Sequence, residues 1–120
     1  VTVRAIRGAT QVDTDDRELL LAATAELVAA VLERNGLTQD DLVSIVFTTT
    51  PDLRSEFPAY AARLAGITDV PLLCASEIDV PGALPRVVRL LAHVQTTMPR
   101  SEIRHVYLHG AAALRTDLHQ

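Results

Sequence analysis

The sequence predicts a mixed α/β domain whose elements alternate in the order β-α-β-α-β-α-β, with one sheet covered by helices on at least one face. Three observations predict it. Short alternating or apolar runs at residues 1–7, 43–49, 70–74 and 104–109 suit strands. Apolar residues at i, i+3, i+4 spacing lie between them, and Pro, Gly and Asn-Gly punctuate the joints. The 120 residues, 48% hydrophobic and 22% charged, suit a single compact domain over residues 1–120.

Residues 1–7 alternate, with Val1, Val3, Ala5 and Arg7 on one side, and Gly8 then loosens the strand. Arg7 ends an otherwise apolar face, where a guanidinium needs an anionic partner or a route to solvent. The run Asp13-Thr-Asp-Asp16 places capping oxygens and negative charge at a helix N-terminus. That helix runs to about Arg34 on a stripe of Leu20, Ala23, Leu27, Ala30 and Val31, and Asn35-Gly36 stops it. Thr24 is the polar exception on the stripe, its hydroxyl suited to bond back to the preceding turn. Thr38 and Asp41 cap a brief turn before the strand at 43–49, whose consecutive Ile45, Val46 and Phe47 predict burial on both faces.

Pro51 breaks the chain, and Pro58 suits the first turn of a short helix that ends near Gly66. Residues 70–74 read as a third strand, with Pro71 at its start. Leu84, Val87, Val88, Leu91 and Val94 predict a helix over about 83–95, with Pro85 in its first turn. A strand at 104–109, a small apolar segment at 111–114 and a polar tail complete the chain. So short a chain leaves much sheet surface uncovered, which favours oligomerisation.

Composition narrows the function. Net charge is −4 and aromatics are 3%, which argues against nucleic-acid binding. No apolar run reaches the ~18–20 residues of a membrane span, and no signal-like segment is present, so no membrane partner and a cytoplasmic location are expected. All eleven basic residues are arginine. The single cysteine, Cys74, excludes a disulfide framework; with no histidine at a diagnostic spacing it reads as a small buried residue. His93, His105, His109 and His119 form no ligand set, and phosphate-binding and nucleophile motifs are absent, so no metal or cofactor is expected.

Four segments nevertheless stand out: Arg4-Ala-Ile-Arg-Gly-Ala-Thr10; Thr50-Pro-Asp-Leu-Arg-Ser-Glu-Phe-Pro-Ala59 with Arg63 following; Cys74-Ala-Ser-Glu-Ile-Asp-Val80 running on to Arg89; and Ile103-Arg-His-Val-Tyr-Leu108 with Leu114-Arg115. Together, in unbroken order over essentially the whole chain, they resemble the monofunctional trimeric bacterial chorismate mutases. The resemblance implies a pseudo-α/β-barrel fold formed as a homotrimer, with active sites in clefts between adjacent subunits. The implied reaction is the Claisen rearrangement of chorismate to prephenate, on the route to phenylalanine and tyrosine. By the same resemblance Arg7 grips a substrate carboxylate, with Tyr107 hydrogen-bonding there. Arg89 reaches the ether oxygen and a carboxylate. Glu77 and Cys74 contact the ring hydroxyl, and Phe57, Arg63, Leu114 and Arg115 close the cleft over the second carboxylate. Leu73 stands where family patterns have a threonine, and Tyr60 where some relatives have lysine.

The residue types fit that chemistry. A dianionic substrate meeting an acidic protein needs a locally positive pocket, which Arg7, Arg63, Arg89 and Arg115 can assemble. Guanidinium forks meet carboxylates through paired bonds. An intramolecular, concerted rearrangement requires no nucleophile, proton shuttle or cofactor, only a compact substrate and a fixed cation beside the oxygen that gains charge. Taken singly the residues say less: on a helical wheel Arg89 falls off the core stripe as a solvated side chain, Glu77 reads as a loop carboxylate, and Tyr107 as a packed strand aromatic. Two other readings are an anionic-metabolite-binding trimer without turnover and a hydrolase of imines or enamines on a similar fold. A carboxylate in the pocket argues against the first, and four arginines against the second.

Overall fold

In the computed structural model, which describes residues 1–115 and at Arg115 the backbone alone, five strands form one mixed sheet in the order β3-β2-β4-β1-β5. They are β1 (Thr2–Gln11), β2 (Leu42–Thr49), β3 (Leu72–Ser76), β4 (Val87–Thr96) and β5 (Val106–Leu108). Central β4 is antiparallel to both neighbours, whereas the outer pairs β2/β3 and β1/β5 are parallel. Helices α1 (Arg17–Arg34) and α2 (Pro58–Leu64) pack on one face.

Helix α1 begins where the acidic run predicts. The Asp16 carboxylate accepts the Leu19 N–H at 3.0 Å. It ends at Asn35, after which Gly36 takes φ +63° and the Leu37 N–H returns to the Leu32 carbonyl at 2.9 Å. The Thr24 hydroxyl donates to the Leu20 carbonyl at 2.7 Å, so this polar residue is satisfied inside the core. Leu27, Val28 and Val31 meet Ile6, Ile45, Phe47, Leu90 and Val94 from the sheet, with Ala59 and Ala62 from α2 beside them.

Gly8 does not loosen β1. A Cβ there would meet Leu27, Val31 and Leu90 at 3.1–3.3 Å, so glycine is what allows α1 to lie close against an unbroken strand.

The predicted third helix at 83–95 is a strand, so the observed order is β-α-β-α-β-β-β. Val88, Leu90, Ala92 and Val94 are buried on the helix side, while Arg89, Leu91, His93 and Gln95 face the other way. Leu84, Val87, Val88, Leu91 and Val94 satisfy a helical spacing only because the side away from the helices also carries apolar residues. Neighbours on both edges, with the β-branched valines, settle the segment as the central strand.

Burial of β2 on both faces is likewise corrected: Ile45 and Phe47 are buried, but Ser44 and Val46 on the other side are only half-covered. Much of the sheet face away from the helices is open in the single chain, with Val3, Leu73 and Leu91 exposed on it, while Ala9, Val87 and Tyr107 are buried there beside Ala111. Among the described residues, no helix is long and apolar enough to cross a membrane.

Candidate active site

Strand register assembles polar residues on this open face. Tyr107, Ala9, Arg89, Thr48 and Ala75 form one row across the sheet from β5 to β3. The adjacent row is Arg7, Leu91, Val46 and Leu73. The predicted residues Arg7, Leu73, Arg89 and Tyr107, distant in sequence, therefore share one surface. Tyr107 is buried over small Ala9, with Val87 and Ala111 around it and Leu114 packed alongside. The Arg7 backbone N–H donates to His105 Nδ1 at 2.9 Å, extending the β1/β5 edge beyond its ladder.

Glu77 follows β3 directly and leads into a loop, not towards a helix. Its backbone N–H donates to the Thr49 carbonyl at 2.9 Å, which turns the side chain back over the sheet. One carboxylate oxygen accepts from Arg89 Nε at 3.1 Å and the other from the Thr48 hydroxyl at 2.8 Å. Among the described residues, only Nε of the Arg89 guanidinium has an acceptor, and the side chain is 40% exposed. The two terminal nitrogens are thus available to a ligand, while Glu77 anchors the guanidinium at Nε.

The start of β4 is clamped so that Arg89 has a defined position. Arg86 takes a left-handed φ of 53°, and its N–H donates to Asp52 at 3.0 Å. The Arg86 Nε donates to the Val12 carbonyl at 3.0 Å, and the Val87 N–H donates to the Thr50 hydroxyl at 3.0 Å. These bonds offset the cost of a non-glycine residue at positive φ.

The other predicted residues lie elsewhere in the chain. Cys74 pairs with Phe47 in register, on the helix side, and lines a cleft with Phe57, Ser55 and Ser76. Glu77 and Arg89 line a second cleft with Asp52 and the loop at 78–85, and Arg54 borders both. Arg63 lines a third hollow with Ile67 and Val70. The Arg115 side chain lies outside the described residues.

Phe57 is held 69% exposed, an unusual state for so large an apolar residue. Asp15 accepts the Arg54 and Ser55 N–H groups at 3.1 Å, tying the loop to the start of α1. Glu56 accepts the Phe57 N–H and the Arg17 Nε, both at 2.9 Å, and Arg17 lies 5.6 Å over the Tyr60 ring. The Phe57 N–H, seconded by Arg17, holds the Glu56 carboxyl below its ordinary range.

Three residues escaped the sequence reading. Thr48 and Arg54 are short-range anonymous positions whose neighbours come from other elements. Asn35, expected only as a stop, is buried: its amide donates to the Val31 and Arg104 carbonyls at 2.8 and 2.9 Å, and its oxygen accepts the Arg104 N–H at 2.8 Å. It thereby bolts the end of α1 to the segment entering β5.

Known proteins similar to this chain in sequence and in shape agree with one another. The family model for chorismate mutase type I matches residues 3–118. The chain is 50% identical over 117 residues to chorismate mutase AroH of Thermus thermophilus, covering 97% of this chain and 96% of that protein. It is 43% identical to chorismate mutase AroH of Bacillus subtilis, covering 97% and 92%. A solved chorismate mutase from Clostridium thermocellum superposes with a TM-score of 0.90 at 46% identity, covering 92% of this chain and 98% of that one.

Proposed function

The chain belongs to the chorismate mutase type I family, and from that premise we propose how its own residues carry the reaction. Its activity is that of a chorismate mutase, an isomerase of aromatic amino acid biosynthesis acting on chorismate. The readings as a silent binding trimer or a hydrolase fall away with that assignment.

The catalytic residues in this proposal are Arg89, Glu77 and Arg7. Arg7, with Tyr107, takes one substrate carboxylate; Arg63 and Arg115, with Phe57 and Leu114, close over the other. Leu73 supplies an apolar wall, and Cys74 with Glu77 receives the ring hydroxyl. Holding both arms of the substrate in a compact chair lowers the entropic part of the barrier. As the C–O bond breaks ahead of C–C formation, negative charge grows on the ether oxygen, and the Arg89 guanidinium stabilises it there. Glu77 balances the positive charge of the ring fragment. No cofactor or metal enters the scheme.

The observation that carries this reading is the Arg89 guanidinium, held at Nε by Glu77 and 40% exposed, with no acceptor on its terminal nitrogens among the described residues. A homotrimer with sites between adjacent subunits belongs to the same proposal. Supporting it, Phe57, Ile78 and Val80 are exposed apolar residues lining the clefts, Leu73 is exposed on the sheet face, and Arg63 and Arg89 line separate clefts within one chain. A cytoplasmic location is also proposed, supported by one free cysteine with no disulfide partner in the chain. The test is loss of the chorismate diene absorbance on mixing with the purified protein, with prephenate confirmed by acid conversion to phenylpyruvate. Unchanged absorbance from folded protein would refute the reading.

A further inference from the structure

We propose that Thr48 is a positioning residue for the rearrangement, acting through Glu77. This rests on the role given to Glu77 above. The Thr48 hydroxyl donates to one carboxylate oxygen at 2.8 Å while Arg89 Nε engages the other at 3.1 Å. In register, Thr48 lies directly beside Arg89 on the neighbouring strand, so strand, acid and arginine form a closed three-residue unit.

The two bonds have different consequences. The Arg89 contact alone would leave the carboxylate free to swing about its side-chain torsions, because a single bond to Nε defines a distance and not a plane. The second bond, from a β-branched side chain with few rotamers on a central strand, fixes the rotation. With both oxygens engaged, the carboxylate presents one orientation to a ligand, and Arg89 in turn is anchored at Nε by a fixed partner. Ordering of this kind by a neighbouring group is what holds a catalytic constellation within the tolerance that reaction requires. Thr48 does not itself need to touch the substrate.

The test is steady-state kinetics on chorismate for Thr48→Val, Thr48→Ser, Glu77→Ala and the Thr48→Val/Glu77→Ala double variant, with melting curves for each. Valine keeps the strand-compatible shape and removes only the hydroxyl. Loss of one charge-assisted hydrogen bond predicts a fall in kcat of about tenfold, with KM changed much less. Serine, which retains the hydroxyl, recovers most of the rate. In the Glu77→Ala background the Thr48→Val change costs little further, because the group it positions is gone. A Thr48→Val enzyme at wild-type rate, a serine variant as slow as valine, or an equal cost with and without Glu77 overturns the proposal. A Glu77→Ala enzyme at wild-type rate refutes the role of Glu77 itself. Loss of Glu77 with indifference to Thr48 refutes only the positioning role.

Discussion

Replacing Arg89 by alanine removes two things at once, and the structure allows each to be sized. The terminal guanidinium nitrogens, which have no acceptor among the described residues, are the donors available to the ether oxygen. A preorganised donor at a developing oxyanion is worth about 3–4 kcal/mol. The substitution also leaves the Glu77 carboxylate, only 21% exposed, without its cation and facing a dianionic substrate. The pair is partly solvated, so its own share is about 1 kcal/mol. Together the two effects predict a fall in kcat of about 10³-fold, somewhat more if the cleft is dry. KM should change far less, because the charge on the ether oxygen appears only in the transition state. Arg89→Lys keeps the charge but loses the fork and should recover only part of the rate. Arg7→Ala should behave oppositely and raise KM, since the carboxylate proposed as its partner is charged throughout. Steady-state kinetics with circular dichroism to confirm folding provide the assay. An Arg89→Ala enzyme with normal kcat and an altered KM would make Arg89 an ordinary substrate anchor with no part in stabilising the transition state.

Permanently charged arginines and an intramolecular step predict a kcat that varies little between about pH 6 and 9, no loss in EDTA, and substantial activity in Cys74→Ala. A bell-shaped kcat profile, or a folded but inactive Cys74→Ala, would contradict this. Gly8→Ala should destabilise the fold by about 1–3 kcal/mol, since the new methyl meets Leu27, Val31 and Leu90 at 3.1–3.3 Å; an unchanged melting temperature would contradict the close approach of α1. The Glu56 carboxyl is held below its ordinary value by the Phe57 N–H and Arg17. Its stabilising contribution is therefore complete above the unfolded-state pKa and lost as pH falls through the lower folded value. The gap in melting temperature between wild type and Glu56→Gln should narrow on going from about pH 7 to pH 3, and a gap constant across that range would contradict the assignment.

Local signals were legible where one period or one cap dominated. Asp16, Thr24 and Gly36 bracket and fill α1 as their chemistry predicts, and Pro58 opens α2. The failure at residues 83–95 has a physical origin. A strand whose second face is also apolar offers both a period of two and a helical stripe, and only the neighbours β1 and β2 break the tie. Gly8 misled for a related reason, because what it accommodates is a helix 19 to 23 residues away in sequence, at Leu27 and Val31. In the candidate site, motif order singled out Arg89 and Glu77, which the fold brings into contact although one was expected on a helix and the other ahead of it. Thr48, and the tertiary bonding of the helix-stop residue Asn35, were invisible because a small polar residue carries no periodic signal, and its partner is chosen by register or packing. The placement of Cys74 and Phe57 on one cleft, Glu77 and Arg89 on another, and Arg63 on a third is likewise a product of topology.

That separation is what a site shared between subunits would join, and subunit mixing tests it most directly. Arg89→Ala and Arg63→Ala chains, each strongly impaired alone, would be combined under conditions that exchange subunits, with sedimentation confirming a species of three times the 13.0 kDa chain mass. If the two arginines of a site come from adjacent subunits, random mixing in equal amounts leaves about one site in four with both intact, and activity should return to about a quarter of wild type. Activity in the mixture no greater than the average of the two variants, or a fully active monomer, would contradict the account.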